Sequence, residues 1–158
     1  MLAYLSSKKG KETDMYIVDS TPLRVCNNHC IFRHKLFADI AKRSKHSMGW
    51  FFGFKLHLII NNKGELIKFC LTNANVDDRK PLKALCKNLK GIIAGDKGYI
   101  GKEVAIDLAK QGLRLITKTK KNMKEKALSI LDKCFLSKRG IVETIIDQLK
   151  SNLSDRTH

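Results

Sequence analysis

The chain has 158 residues, 43% of them hydrophobic, which is enough for one domain with a buried core and too few for two. It carries 31 Lys and Arg against 15 Asp and Glu, a formal net charge of +16. A charge of this size attracts polyanions and repels basic partners, so nucleic acid is the first partner to consider. Charge alone identifies no reaction.

Membrane insertion and secretion are not expected from the sequence. No run approaches the roughly 18 apolar residues of a membrane helix, and the N-terminal "MLAYLSSKKGKET" becomes polar too early for a secretory signal. The five cysteines show no framework spacing, as in a reducing cytoplasm. A cluster of Cys26, His29, Cys30 and His34 lacks two well-spaced ligand pairs, so we favour unligated loop residues over zinc.

The first half of the chain predicts strands. "MYIVD" reads as a short strand that ends on Asp19 and is closed off by Pro22. The basic segment 23–48 is expected to be loop with a short helix. "GWFFGFKLHLIIN" alternates with period two and predicts a half-buried strand. The turn signal "NNKG" and the apolar "ELIKFCLTN" then predict an antiparallel hairpin.

The second half alternates between helices and strands. "NVDDRKPLKALCKNLKG" has a capping Asp, an early Pro and Gly91 as a stop, which predicts a helix of about three turns. "GIIAGD" predicts a strand ending on Asp96, "GKEVAIDLAKQG" a helix and "LRLITKT" a strand. After the Lys-rich "KTKKNMKEK", a final helix is predicted over about 138–150. This order indicates an α/β domain with a mixed sheet.

Three acids stand out in this layout. Asp19 and Asp96 each end a predicted strand, and Glu143 lies on the polar face of the last helix. If the two strands are neighbours, the carboxylates emerge at one edge, and a helix packed there can add the third. Such a cluster requires cations, and oxygen ligands suit Mg²⁺ or Mn²⁺. Two such ions about 3.5–4 Å apart can drive phosphodiester displacement.

Each acid also has a structural interpretation. Asp19 can cap a turn with Ser20 and Thr21, and Asp96 can serve the "GDKGY" turn. Glu143 can pair with Arg139 four positions earlier, for about 0.3–0.5 kcal/mol. For one acid alone this interpretation is preferred. For all three in strand, strand and helix order on a basic chain, we prefer the metal site.

The segments "VDST", "GWFFGFKLHLIIN", "NVDDRKPL", "GDKGYIG" and "KRGIVETIIDQLK" carry a family resemblance. On them the sequence resembles the catalytic domain of a bacterial insertion-sequence transposase of the DDE type, in the ribonuclease H-like superfamily that includes retroviral integrases. Arg139, four positions before Glu143, and Lys150, seven after it, match the family's glutamate motif. The tyrosine expected three positions before the arginine is Leu136 here, which departs from the pattern.

This resemblance implies a fold, a site and a domain layout. The fold would be a ribonuclease H-like mixed sheet flanked by helices, with Asp19, Asp96 and Glu143 as catalytic ligands of two Mg²⁺ or Mn²⁺ ions. We expect a polar N-terminal segment at 1–15, the catalytic domain at 16–150 and a truncated tail at 151–158. The location would be cytoplasmic and associated with the bacterial nucleoid.

The resemblance also implies partners. These are double-stranded DNA, as transposon ends and target, and a second copy of the chain on that DNA. The residues expected to contact the DNA backbone are Arg139, Lys150, Lys118, Lys120 and Lys121. For Arg139 and Lys150, ordinary helix salt bridging is an equally weighted alternative, and Lys runs are usually solvated surface.

Two other functions remain as alternatives. The chain can be a transposase remnant that binds DNA without cutting it, since the family's flanking segments look curtailed. "DST" and "GDKGY" also faintly echo haloacid dehalogenase-type phosphohydrolases, but that family needs a second aspartate where Thr21 stands. No G-x-G-x-x-G follows a strand, which argues against a dinucleotide-binding fold.

Overall fold

The computed structural model describes residues 2–7, 9–47, 49–118 and 129–154. Its strands are β1 (Met15–Cys26), β2 (Lys42–His46), β3 (Gly49–Asn61), β4 (Leu66–Asn73), β5 (Gly91–Gly95) and β6 (Leu113–Thr117). Its α-helices are α1 (Leu2–Ser7), α2 (Arg79–Leu85), α3 (Lys102–Lys110), α4 (Ile130–Ser137) and α5 (Gly140–Ser154). Short 3₁₀ helices cover Asn28–Arg33 and Lys97–Tyr99. No helix in these ranges is long and apolar enough to cross a membrane.

The described strands form one six-stranded mixed sheet in the order β2-β3-β1-β5-β6, with β4 also paired to β3. β3 runs antiparallel to β1, β2 and β4, whereas β5 runs parallel to both β1 and β6. Parallel neighbours need crossover connections, which α2 supplies before β5 and α3 supplies before β6. The predicted α/β class, a mixed sheet flanked by helices, is confirmed.

Both faces of the sheet are covered, so the core has two layers. Side chains alternate along each strand, and in β1 Ile17 packs towards α4 and α5 while Tyr16 and Val18 pack towards α2 and α3. In β3, Leu58 joins the first layer and Ile59 the second. The prediction that β3 is half-buried is therefore wrong, because a central strand flanked by helices on both faces is buried on both.

β1 is longer than predicted, because it continues through Pro22 to Cys26. Its pairing with β5 covers only Met15–Ile17, whereas its pairing with β3 reaches Cys26. Beyond Ile17 the strand has one neighbour in the described sheet, and an open strand edge tolerates a residue without an N–H group. The prediction that Pro22 closes the strand is wrong for this reason, and Asp19 lies within the strand instead of at its end.

β2 was not predicted, because "KRSKH" has no apolar alternation to indicate a strand. Its conformation comes from pairing with the first five residues of β3, from Lys42 opposite Gly53 to His46 opposite Gly49. Gly53 also faces the bulge of β1, where a Cβ would collide with the Leu23 carbonyl oxygen. The chain therefore needs glycine at this point to bring three strands together.

The helices differ from expectation in four places: α1 was not predicted, α5 continues to Ser154 beyond the predicted end at about 150, and α2 and α4 differ as follows. α2 has seven residues, about two turns, and Asp77 accepts the Arg79 N–H at 2.9 Å at its start, while Asp78 makes no capping bond. α4 was not predicted, although Ser129 accepts the Asp132 N–H at 3.1 Å and so caps it. A Ser three positions before an acid was the available signal for this helix.

Candidate active site

β1 and β5 place two of the predicted acids side by side. Ile17 lies opposite Ala94 in the parallel pair, so Asp19 and Asp96 occupy the same register two positions further on. β5 ends at Gly95, and Asp96 keeps an extended backbone as it leaves the sheet. The expected adjacency of these two strands is confirmed, and both carboxylates belong to one edge of the sheet.

Asp19 lies half-buried in β1, in a setting that opposes its ionisation. Its Oδ1 accepts the Ser20 N–H at 2.8 Å within continuous strand, so the turn interpretation of this acid does not apply. Burial raises the Asp19 pKa to about 6, Arg139 opposes the rise, and the charges of Asp96 and Glu143 add to it. The two other predicted ligands therefore lie within electrostatic range of Asp19.

The third element of the site is α5, which packs against β1. Glu143 stands in its first turn and is exposed. Arg139 immediately precedes the helix, its side chain is only 14% exposed, and its Nη1 donates to Asp96 Oδ1 at 3.1 Å. In the described part of the chain Arg139 therefore pairs with Asp96 and not with Glu143, which joins the helix to the strand edge.

The carboxylates are near one another but are not gathered around a single point. Within the described ranges, no three His, Cys, Asp or Glu side chains are close enough to hold a metal ion, and this includes the cluster at Cys26. The chemistry of the set nevertheless fits a hard cation, because it offers only carboxylate oxygens. Burial is the main cause of the raised Asp19 pKa and the charges of Asp96 and Glu143 add to it, so a cation at this point would favour the ionised carboxylate. In this structure Arg139 supplies the positive charge beside Asp96.

A cavity of about 180 Å³ opens beside these acids. Its lining combines Asp19 and Asp96 with cations and small side chains from β2, β3 and the start of α2. The other residues that line it are Ser20, Pro22, Ser44, Lys45, His46, Phe51, Lys55, Asp78, Gly98 and Tyr99. The pocket is large enough for a phosphate group and is bordered by both signs of charge.

A fourth acid, Asp78, lies in this cavity. Lys55 Nζ donates to Asp78 Oδ1 at 2.7 Å, and His57 Nδ1 lies 4.0 Å from the same oxygen. His57 is only 1% exposed, its Nε2 is 2.8 Å from Thr72 Oγ1, and burial lowers its pKa, so it is neutral at pH 7. His57 is therefore too buried to contact DNA in this conformation, whereas Lys55 reaches the cavity.

Tyr99 is a second residue that sequence reasoning missed. It follows Asp96 in the 3₁₀ helix and is buried against the α2 and α3 side of the sheet. Burial raises its pKa far above the usual range, and the charges of Asp78 and Asp19 act in the same direction. The phenol is therefore neutral. In the sequence, the available signal for Asp78 was the segment "NVDD", and the signal for Tyr99 was the segment "GDKGY".

The predicted lysines lie at different distances from the site. Gly95 pairs with Thr117, so Lys118 follows in register with Asp96 and is exposed at the same sheet edge. Lys150 is exposed on α5, seven residues or about 10 Å along the axis from Glu143. Lys120 and Lys121 lie outside the described residues. Lys118 therefore follows β6 at the level where Asp96 follows β5, whereas Lys150 lies two turns along α5 from Glu143.

Comparisons with known proteins give one family and a set of distant folds. A family model described as "Transposase DDE domain" matches residues 9–158. No curated protein matches the sequence significantly. A chain from a cryo-EM structure of a piggyBac transposase synaptic complex with hairpin DNA is 11% identical, with a TM-score of 0.48, 73% of this chain covered and 25% of the other.

A second match is a chain from a simian T-cell lymphotropic virus intasome in complex with PP2A regulatory subunit B56 gamma. It is 12% identical, with a TM-score of 0.49, 94% of this chain covered and 42% of the other. The chain therefore spans less than half the length of either matched chain. At this identity and similarity, the two structures carry no argument about the activity.

Proposed function

Because the chain belongs to the transposase DDE domain family, we propose that it is the catalytic domain of an insertion-sequence transposase, which cuts and joins DNA with divalent metal ions. Asp19, Asp96 and Glu143 are its catalytic carboxylates and metal ligands. Mg²⁺ or Mn²⁺, as two ions, would supply Lewis-acid activation of oxygen when bound. The proposed partners are double-stranded DNA, both as transposon ends and as target, and a second copy of the chain that forms a homodimer on that DNA.

One observation carries this proposal. Asp19 and Asp96 each lie two positions beyond the last pair of the parallel strands β1 and β5, and the Glu143 charge acts on Asp19 from the helix packed against β1. The three acids come from distant parts of the sequence, so their proximity is a property of the fold and not of a local turn. An acidic cluster on a chain of charge +16 fits phosphodiester chemistry, since the surrounding cations attract the DNA.

The reaction requires two in-line displacements at phosphorus. Water attacks at the transposon end, the P–O3′ bond breaks, and the freed 3′ hydroxyl then attacks a phosphorus of the target and displaces another 3′ oxygen. No covalent bond to the protein forms. Arg139, Lys118 and Lys150, with Lys120 and Lys121 outside the described residues, are assigned to backbone phosphates. Lys55, held by Asp78 in the cavity, is a further cation beside the acids.

The test is nicking of supercoiled plasmid DNA by the purified chain with Mg²⁺ or Mn²⁺. Asp19→Asn, Asp96→Asn and Glu143→Gln should each abolish nicking while leaving DNA binding intact. Asp107→Asn is the matched control, because this acid pairs with Lys83 at 2.9 Å on the α2 and α3 side, away from the cavity. Nicking by all three variants at the parent rate would refute the assignment.

One observation favours a second function, DNA binding without cleavage. The acids are not gathered into a metal-holding group in the described ranges, and an Asp96 oxygen is engaged by Arg139. A chain that only binds DNA would show salt-dependent affinity, as phosphate contacts require, and no nicking with either metal. Direct measurement of metal binding by calorimetry, with Asp19→Asn as the comparison, separates the two functions.

A further inference from the structure

β2 and the start of β3 form an edge hairpin whose two faces differ. Side chains of cross-strand partners share a face, so Lys45 lies beside Trp50, its partner in the register, and Arg43 lies beside Phe52. The alternate residues Ser44, His46 and Phe51 line the cavity that contains Asp19 and Asp96, and Lys45 lines it as well. The hairpin therefore borders the candidate active site. Next to the cavity, Lys45 adjoins Arg43 and Trp50, and we call these three residues the hairpin platform.

Trp50 is exposed and yet held in place. Half of the side chain, 51%, is accessible, while the Arg43 guanidinium lies over the indole, 5.2 Å from the ring centroid. Asn28 Nδ2 donates to the Trp50 carbonyl oxygen at 2.9 Å and fixes the backbone from the adjoining 3₁₀ helix. A large aromatic surface kept in solvent by such contacts is typical of a recognition site, because burial would otherwise be favoured.

The surroundings of the platform are basic and apolar. Residues 27–50 contain five Lys or Arg and a single acid, Asp39. Phe32, in the adjoining 3₁₀ helix, is 99% exposed, and other large apolar side chains of this segment are also exposed. A surface that combines cations with accessible aromatic rings matches single-stranded nucleic acid, which offers phosphates and unstacked bases together.

We propose that the hairpin platform binds a single DNA strand that leaves the cavity, with an unpaired base stacked on Trp50 and with Arg43 and Lys45 on the adjacent phosphates. This inference rests on the proposed function, since it takes DNA as the occupant of the cavity. A second copy of the chain is a poorer occupant, because two platforms of the same positive charge repel each other. A base in duplex keeps its faces stacked and cannot take this position.

Trp50 is the only tryptophan in the chain, so its emission reports on the platform alone. Titration of the full chain with a short single-stranded oligonucleotide should quench this emission, and a blunt duplex of the same sequence should quench it less. By anisotropy of labelled single strand, Trp50→Ala should weaken binding about tenfold, whereas Trp50→Phe should retain most of the affinity. Arg43→Ala should lower the salt slope of binding by about 0.7.

As a control, the single tryptophan is moved from the platform to another surface. Ile106, on α3, is exposed to a degree similar to Trp50. In the double variant Trp50→Phe with Ile106→Trp, the single indole should not respond to the oligonucleotide, although anisotropy still records binding. Circular dichroism and thermal melts of each variant confirm that it is folded before its affinity is compared.

The outcomes separate the two proposals. If single-stranded DNA binds with unchanged affinity to Trp50→Ala and leaves Trp50 emission unaltered, the platform assignment is overturned while the proposed function stands. Emission that changes with protein concentration in the absence of DNA assigns the surface to self-association and overturns it as well. If anisotropy detects no binding of either single-stranded or duplex DNA, the proposed function fails, and this inference fails with it.

Discussion

The two halves of β1 share an extended backbone conformation but differ in burial, because the first half lies in the core and most of the second half is partly exposed. Tyr16 and Ile17 pair with both β3 and β5, and they and Val18 are fully buried. From Val18 onward the strand keeps β3 on one side only, and most of residues 19–26 are partly exposed. The change in exposure comes at Asp19, two positions after the last pair with β5. One strand thus serves as core in its first half and as the wall of a cavity in its second.

This difference explains where the acids can stand. A carboxylate at position 17 would be enclosed by strands on both sides and a helix above, whereas Asp19 reaches the gap left where β5 ends. Even there, burial and two neighbouring acids raise its pKa to about 6. Ionised Asp19 therefore lowers the stability of the fold, whereas the apolar residues in the first half of the strand do not. Variants at these positions can measure this difference.

The largest expected effect comes from replacing one large side chain by alanine in each half of β1. Ile17→Ala leaves a cavity in a site covered on both faces and should lower the free energy of unfolding by about 3 kcal/mol. Leu23→Ala, in the half-buried part, should cost about 1 kcal/mol, because part of the side chain already contacts water. Urea denaturation of both variants gives the comparison. Equal losses would mean that the second half is as enclosed as the first.

The next effect is a gain in stability with a defined pH window. The folded pKa of Asp19, about 6, lies above the usual aspartate value of 3.8, so ionisation destabilises the fold and the penalty grows as pH rises from 4 to 6. Asp19→Asn should stabilise the metal-free chain by about 2 kcal/mol at pH 8 and by almost nothing at pH 4. Thermal melts at both pH values measure this. A gain that persists at pH 4 would contradict the electrostatic cause.

Arg139→Gln tests the charge that moderates this penalty. Arg139 lowers the Asp19 pKa, so its removal should raise that pKa further and extend the penalty to higher pH. The direct loss of the ion pair with Asp96 should cost less than about 1 kcal/mol, since that carboxylate is exposed. Carboxyl carbon NMR titration of Asp19 gives the shift, and Arg139→Lys should restore part of it. An unchanged titration would place the guanidinium too far away to act.

The smallest effect is expected at Pro22. On an open strand edge the ring replaces no required hydrogen bond, so Pro22→Ala should lower stability by only about 0.5 kcal/mol, through the greater freedom of the unfolded chain. Hydrogen exchange of the new amide should be fast. A protected amide, or a loss above 2 kcal/mol, would show that this edge of β1 has a partner after all.

Local patterns in the sequence predicted the parts of the fold that local forces determine. The alternation in β3, the turn before β4 and the apolar run of β5 each indicated a strand that the structure contains. The adjacency of the strands that precede Asp19 and Asp96 was a condition of the predicted site, and no local pattern determined it. What remained hidden depends on partners distant in sequence: β2 is a strand because β3 pairs with it, and β1 passes Pro22 because one edge is open.

The same distinction applies to the site. The residue types and spacings indicated three acids and an arginine, yet nothing local showed that Arg139 would pair with Asp96 instead of Glu143. Asp78 was quoted within a motif, but its contact with Lys55 needs β3 and α2 to meet. Charge, by contrast, was readable at once, since a basic excess of this size needs no fold to be recognised.

The parallel pairing of β1 with β5 also sets the order of events during synthesis. β1 leaves the ribosome before its partner β5, which follows only after the β3 and β4 hairpin and α2, and α5 comes later still. Pairing across so much intervening chain is slow to form, because the connecting segment must first be restrained. A nascent chain therefore has an assembled hairpin before its carboxylates come near one another, and the candidate site is complete only after translation has passed Glu143.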